Sequence, residues 1–125
     1  MDEIQINLVI PKTSNIFYAS YKNLTEKIGV NVVGIYFLYD KEKNLKYIGF
    51  SSQNIKNRIY QHLFKKVDGR KKKKTNTQIN RTKLKYFRFI EFDNPIIAKM
   101  AETYLINLEK PELNIQETFW KMGNK

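Results

Sequence analysis

The sequence predicts an α+β fold: a small, mainly antiparallel sheet with three central strands, flanked by helices and preceded by a strand–helix extension. Three observations predict it. Residues 32–39 and 45–50 are two β-branched and aromatic runs separated by a polar turn, which reads as a hairpin. Residues 86–92, Tyr-Phe-Arg-Phe-Ile-Glu-Phe, repeat that character much later in the chain. Between and after these strands stand segments with apolar residues at helical spacing.

The elements follow in order. Ile4, Ile6 and Leu8 alternate with Gln5 and Asn7, so residues 3–10 are expected to form a strand ended by Pro11. Ser14 or Asn15 is the expected cap of a helix running to about Ile28, with Gly29 as its stop. After the hairpin and its 40–44 turn, Ser51 or Ser52 is expected to open a helix to about Lys66. Its buried stripe is Ile55, Ile59 and Leu63. Asn94-Pro95 is a cap followed by a first-turn proline. The helix behind it places Ile97, Met100, Ala101, Tyr104, Leu105 and Leu108 at helical spacing, and Pro111 stops it. The tail, 112–125, has one anchor in Phe119 or Trp120.

Bulk composition narrows the chemistry. The chain has 125 residues, enough for one hydrophobic core and too few for two, so 1–125 is read as one domain. A 42 % hydrophobic content with eight Tyr and eight Phe argues against disorder. Cysteine is absent and His62 is the lone histidine, so a metal has to sit on oxygen ligands, which favours Mg²⁺ or Mn²⁺. Twenty-three basic residues against 12 acidic ones give a net charge of +11, which points to an anionic partner, ordinarily nucleic acid. The apolar runs fall far short of the ~20 residues of a membrane span. Met1-Asp2-Glu3 does not open a signal peptide, so a cytoplasmic protein, not a secreted one, is expected.

Ten Lys or Arg fall within residues 65–85: Lys65, Lys66, Arg70, Lys71, Lys72, Lys73, Lys74, Arg81, Lys83 and Lys85. Thr and Asn are interspersed and Gly69 interrupts the run. The expectation is an exposed basic insertion that contacts nucleic-acid phosphates, against the alternative of a solvated loop.

Two triplets, Gly34-Ile35-Tyr36 and Tyr47-Ile48-Gly49, lie on the paired strands with ten residues between them. Side chains alternate faces along a strand, so Tyr36 and Tyr47 can reach one site or both serve as core aromatics. Arg58 and His62, four residues apart, share a helix face turned about 100° from the apolar stripe. They can equally be a surface ion-pair partner and a boundary histidine. Glu102 has Ala98 and Ile106 as its i±4 neighbours, so it stands at the edge of an apolar stripe, where a carboxylate needs a cation. That cation can be Arg58 or a metal. Asn114 follows the Pro111 stop and is ordinarily a turn residue.

Taken as an ordered set, these residues resemble the GIY-YIG nuclease family. The set comprises both triplets, Arg58 nine residues after Gly49, His62 one turn later, a helical Glu102 and Asn114 after a proline. The resemblance runs from Gly34 to Asn114, which makes 34–114 the expected catalytic core and 1–30 an extension outside it. Phe50 departs from the family, many of whose members carry a polar or basic residue directly after the second triplet. The 65–85 stretch reads as an insertion.

What the resemblance implies is a metal-dependent endonuclease on double-stranded DNA, with catalytic residues Tyr36, Tyr47, Arg58, His62, Glu102 and Asn114. Glu102 would hold one Mg²⁺ or Mn²⁺ per site. Arg58 would bind the scissile phosphate, and Tyr36, helped by His62, would be the general base. A free phenol has a pKa of about 10, so its surroundings must lower the cost of deprotonating it. The two tyrosines could exchange roles, and Asn114 would orient the tyrosine or the backbone near the phosphate. With no room for a separate DNA-reading domain, a restriction-type or phage-type member is expected. Such an enzyme can pair as a homo-oligomer, with residues 3–28 as the suspected interface. The rivals are a catalytically silent nucleic-acid-binding module on the same fold and a basic RNA-binding protein.

Overall fold

The structure is a computed structural model and describes residues 8–64 and 83–115. In chain order the elements are β1 (Phe17–Tyr18), α1 (Tyr21–Lys27), β2 (Gly34–Asp40), β3 (Leu45–Ser51), α2 (Ile55–Leu63), β4 (Leu84–Glu91) and α3 (Pro95–Glu109). The four strands form one sheet in the order β1-β4-β2-β3, and every pairing is antiparallel. The expected three-stranded centre is therefore present, with a two-residue strand added at one edge.

β2 carries an unbroken apolar run because it is covered on both faces. Tyr36 and Leu38 point to the side of α1 and α2, into a core with Leu24, Ile28, Tyr47, Ile55, Ile59 and Phe87. Ile35 and Phe37 point to the other side, where Ile48, Ile90, Phe92, Ala98 and Ala101 close a second core beneath α3. Two main-chain bonds seat the flanking elements on the start of β2. Ile55 N–H donates to Val32 O at 2.9 Å and Phe92 N–H to Val33 O at 2.9 Å. The hairpin closes as its sequence suggests: the Asp40 carboxylate accepts from the N–H groups of Glu42 (3.0 Å) and Asn44 (2.9 Å).

The N-terminal region differs from the expectation. Residues 8–10 form no strand, and the rest of the expected 3–10 strand lies outside the described residues. Ser14 does not cap a helix. Its N–H donates to Phe89 O (2.9 Å) and its hydroxyl accepts from Phe89 N–H (3.0 Å), so the chain here runs along the outer edge of β4. Phe17 continues that edge, packed on Phe87 with ring centroids 5.6 Å apart. The helix cap is Ser20, whose hydroxyl accepts from Asn23 N–H at 3.1 Å. Tertiary pairing to an available strand edge overrides the local capping signal at 14–15.

Two smaller shifts follow the same logic. Helix α2 is capped by Asn54 rather than by Ser51 or Ser52. The Ser51 hydroxyl instead accepts from Gln53 and Asn54 N–H, which closes the turn before the helix. In α3, Asn94 caps as expected, and Lys110 adopts a left-handed conformation before Pro111. Its expected apolar stripe, however, divides: Ala101 is fully buried, as is Ala98 beside the stripe, and Leu105 packs against the same core, whereas Ile97, Met100, Tyr104 and Leu108 are 37–59 % exposed. The Phe119 or Trp120 anchor and the basic residues 65–82 lie outside the described residues. Among those described, no helix is long and apolar enough to cross a membrane.

Candidate active site

Tyr36 lies in the middle of β2, directly opposite Gly49 of β3. Its ring crosses over that glycine. A Cβ at Gly49 would fall within the atoms of the phenol, so no other residue leaves Tyr36 where it is. Gly34, the other glycine of the two triplets, serves packing of a different kind. A Cβ there would run into the carbonyl of Ile90 on β4.

Beyond Gly49 the Tyr36 hydroxyl stands 2.9 Å from Nε2 of His62, in the last turn of α2. Tyr47 joins them: its ring centroid is 4.9 Å from that of His62 and 6.2 Å from that of Tyr36. Both tyrosines are core residues, at 0 % and 7 % exposure, and the same packing brings their rings together beside His62.

Burial pushes the His62 imidazole down from its ordinary range to about 4, and the Arg58 guanidinium one turn earlier pushes it the same way. His62 is therefore neutral at physiological pH. With its proton on Nδ1, its Nε2 accepts a hydrogen bond from the Tyr36 hydroxyl. Arg58 itself is exposed, one turn before the half-buried His62.

Glu102 comes from the opposite face of the sheet. It is buried in α3, at 7 % exposure, and its carboxylate is paired with Lys99 Nζ at 2.7 Å. The sequence offered Arg58 or a metal as the cation here; Lys99, which the sequence reading passed over, is the residue in place. Its i,i+3 spacing from Glu102 was the available signal. The Lys99 ammonium also lies 5.5 Å from the centroid of the Phe50 ring. Position 50, aromatic in this chain, thus has a cation above it.

Asn114 is held at the edge of β3. Its side-chain carbonyl accepts from Ile48 N–H (2.8 Å) and its amide donates to Ile48 O (2.9 Å), in the manner of one more strand residue. The polar groups accordingly gather at a single stretch of β3, residues 48–50. Asn114 binds the edge at Ile48, Tyr36 passes across Gly49 on one face, and Lys99 with Glu102 stands at Phe50 on the other. β3 is an edge strand, so these groups of the two faces stand beside an edge of the sheet.

Among the described residues no three His, Asp or Glu side chains cluster tightly enough to cage a metal. Glu102 is nonetheless suited to an oxygen-seeking cation, being a largely buried carboxylate that already holds one positive charge. Mg²⁺ typically takes one or two carboxylates and completes its shell with water and phosphate oxygens. Of the basic segment, only Lys83 and Lys85 are described. They line a cavity of about 530 Å³ with Lys46, Asp40 and Glu112, at the turn end of the hairpin.

No curated protein matches the chain. A family model described as the GIY-YIG catalytic domain does, over residues 32–115, a span that begins two residues before Gly34 and ends one after Asn114. That match covers well over half of the sequence and takes in every element from β2 to the turn after α3, so this chain belongs to the GIY-YIG catalytic-domain family and has its nuclease-type fold.

Proposed function

We propose that this protein is a metal-dependent endonuclease that hydrolyses phosphodiester bonds in double-stranded DNA, with Tyr36 as the general base. The observation that carries the reading is the 2.9 Å contact between the Tyr36 hydroxyl and a neutral His62. A phenol is too weak an acid to ionise alone at neutral pH, but it can take a proton from water if it passes its own proton on in the same step. His62 Nε2 is the acceptor in position.

The depressed basicity of His62 describes the site without substrate. A phosphodiester bound to Arg58 neutralises the guanidinium, which is one cause of the depression, and places a negative charge beside the imidazole. Both changes favour the imidazolium at the moment Tyr36 delivers its proton. Arg58 holds the non-bridging oxygens with its forked donors. Tyr47, against both rings, fixes the orientation of Tyr36 and His62. Asn114 keeps the edge of β3 in register so that Gly49 stays beneath the phenol. A divalent ion bound through Glu102 would supply charge stabilisation to the phosphate and to the leaving oxygen. The basic segment from Lys65 to Lys85 would hold the DNA backbone without reading bases.

The test is plasmid DNA incubated with pure protein and a titration of Mg²⁺ or Mn²⁺. Cleavage is expected to require the ion, and Glu102→Ala is expected to abolish it while DNA binding persists. Binding without cleavage under every metal would instead establish the silent nucleic-acid-binding module. One site cuts one strand, so linear product needs two sites. Sizing chromatography beside the nicking time course tells a paired enzyme from a single nickase.

A further inference from the structure

The pair formed by Lys99 and Glu102 is lopsided. The lysine side chain is 61 % exposed and the glutamate side chain 10 % exposed. An ordinary i,i+3 pair on a helix surface exposes both partners and involves nothing else. Here the ammonium is 2.7 Å from a buried carboxylate and also 5.5 Å over the ring of Phe50, a residue of the neighbouring strand. The lysine has reached off its own helix toward the outer edge of β3. At that edge it is one residue from Gly49, over which Tyr36 passes toward His62.

We infer that Lys99 is an exchangeable cation of this site, serving Glu102 in one state and the substrate's phosphate in the other. The inference rests on the reading of Glu102 as the metal-binding carboxylate. A buried carboxylate without a counter-charge is costly, so the metal-free protein needs a cation at Glu102, and Lys99 supplies it. A divalent ion competes for the same oxygens with twice the charge. The ammonium it displaces is weakly held, being mostly in solvent on a flexible stem. The face of Phe50 retains it at the edge of β3. A phosphodiester lying across that edge, with Arg58 on one side, then finds Lys99 on the other. Glu102 is never left unpaired, and the cation released by metal binding becomes a phosphate contact.

The experiment uses Lys99→Met, which keeps the stem and removes the charge, Lys99→Arg as the conservative control, and Glu102→Gln. Mn²⁺ binding is measured on the protein alone by calorimetry, without DNA. Removing a competitor should tighten Mn²⁺ binding in Lys99→Met by about two- to fivefold. Plasmid cleavage by the same variant at saturating Mn²⁺ should nevertheless fall by roughly tenfold or more, with Lys99→Arg recovering most of the rate. Tighter metal binding with slower cleavage is a combination that a merely structural ion pair does not produce. Mn²⁺ affinity and saturated cleavage both unchanged in Lys99→Met overturn this inference and leave the nuclease reading standing. Mn²⁺ binding that is indifferent to Glu102→Gln overturns both.

Discussion

The two faces of the sheet carry their polar residues in opposite ways. On the α2 face, Tyr36 and Tyr47 are buried and the half-buried His62 packs against both rings. On the α3 face, Glu102 is buried but its partner Lys99 is mostly exposed. A proton relay depends on distance and alignment to within a few tenths of an ångström, which packing supplies. A carboxylate that must change cations needs one partner free to leave. The difference teaches that packing holds the polar groups of the α2 face, whereas on the α3 face one partner of the ion pair stands mostly in solvent; the proposed relay and the proposed ion exchange each draw on the face that suits them.

The largest break in this comparison is expected from Tyr36→Phe. The change removes one oxygen from a filled core position, so the fold loses the hydrogen bond to His62, a contribution of about 1 kcal/mol. Plasmid cleavage at saturating metal should fall by about 10²- to 10⁴-fold, the usual yield of a positioned acid or base, while DNA affinity stays within a few fold. Near wild-type cleavage by the phenylalanine variant would remove Tyr36 from the base role and make Tyr47 the candidate.

Next in size is Gly49→Ala. The added methyl enters the space of the Tyr36 ring, which has no exit because the residue is fully buried. Overpacking of this kind costs about 1–3 kcal/mol, and the fold can restore itself only by moving the phenol away from His62. Urea denaturation should show the loss of stability, and cleavage should fall beyond what the remaining folded fraction explains. Gly29→Ala is the matched control. Its new methyl would meet only the Val32 side chain, at 3.3 Å, which has to give by no more than a few tenths of an ångström, so the loss should be much smaller. Equal losses in the two variants would mean that the ring of Tyr36 yields freely, and that packing does not hold this face.

The α2 face also carries a pH signature. His62 has its basicity pushed down to about 4 in the folded chain, against an ordinary value of 6.5, through burial and then the Arg58 charge. Between those two values the unfolded chain binds more protons than the folded one, so stability falls as the pH drops through that window. The full loss is about 3 kcal/mol at most, reached near pH 4. Glu112, whose carboxyl is held low chiefly by the hydrogen bond from Lys46, gives up its share only toward the bottom of the window. Stability measured by urea titration from pH 7 to 4.5 should therefore slope in the wild type and lie nearly flat in His62→Gln. A slope that survives the substitution would assign the proton uptake to another group.

How far each face was legible in the sequence follows from the same contrast. The α2 face was legible because its residues are tied to short-range order. The hairpin is set by two apolar runs and a polar turn, and Arg58 and His62 follow from helical spacing. The glycines of the triplets were visible as letters, but their reason was not. That Gly49 must be bare for Tyr36 to cross it depends on the register of two strands, which only the structure gives. The edge strand at Phe17–Tyr18 was hidden for a like reason, since Ser14 and Asn15 look like helix caps until β4 offers them an edge. On the α3 face, spacing marked Glu102 as a carboxylate needing a cation but left its partner open between Arg58 and a metal. Lys99 stood three residues away and went unread because a lysine on a helix is ordinarily only a solvated charge.

The smallest effect belongs to the outer side of α3, and it decides how the helix uses its apolar residues. Six of them recur at helical spacing, yet the sheet is met by Ala98 and Ala101, small enough to bring the helix close, while Tyr104 and Leu108 are 52 % and 59 % exposed. A large exposed side chain contributes little by burial, so Leu108→Gln is expected to change unfolding stability by less than about 0.5 kcal/mol. Ala101→Leu, on the same helix and formally more conservative, should cost about 1–3 kcal/mol, because its methyls have only the Ile35–Ile48 layer to enter. Circular-dichroism urea titrations of the two variants suffice. A costly Leu108→Gln beside a tolerated Ala101→Leu would mean that α3 is rotated from this placement, and Glu102, one residue on from Ala101, would no longer turn toward the edge of β3.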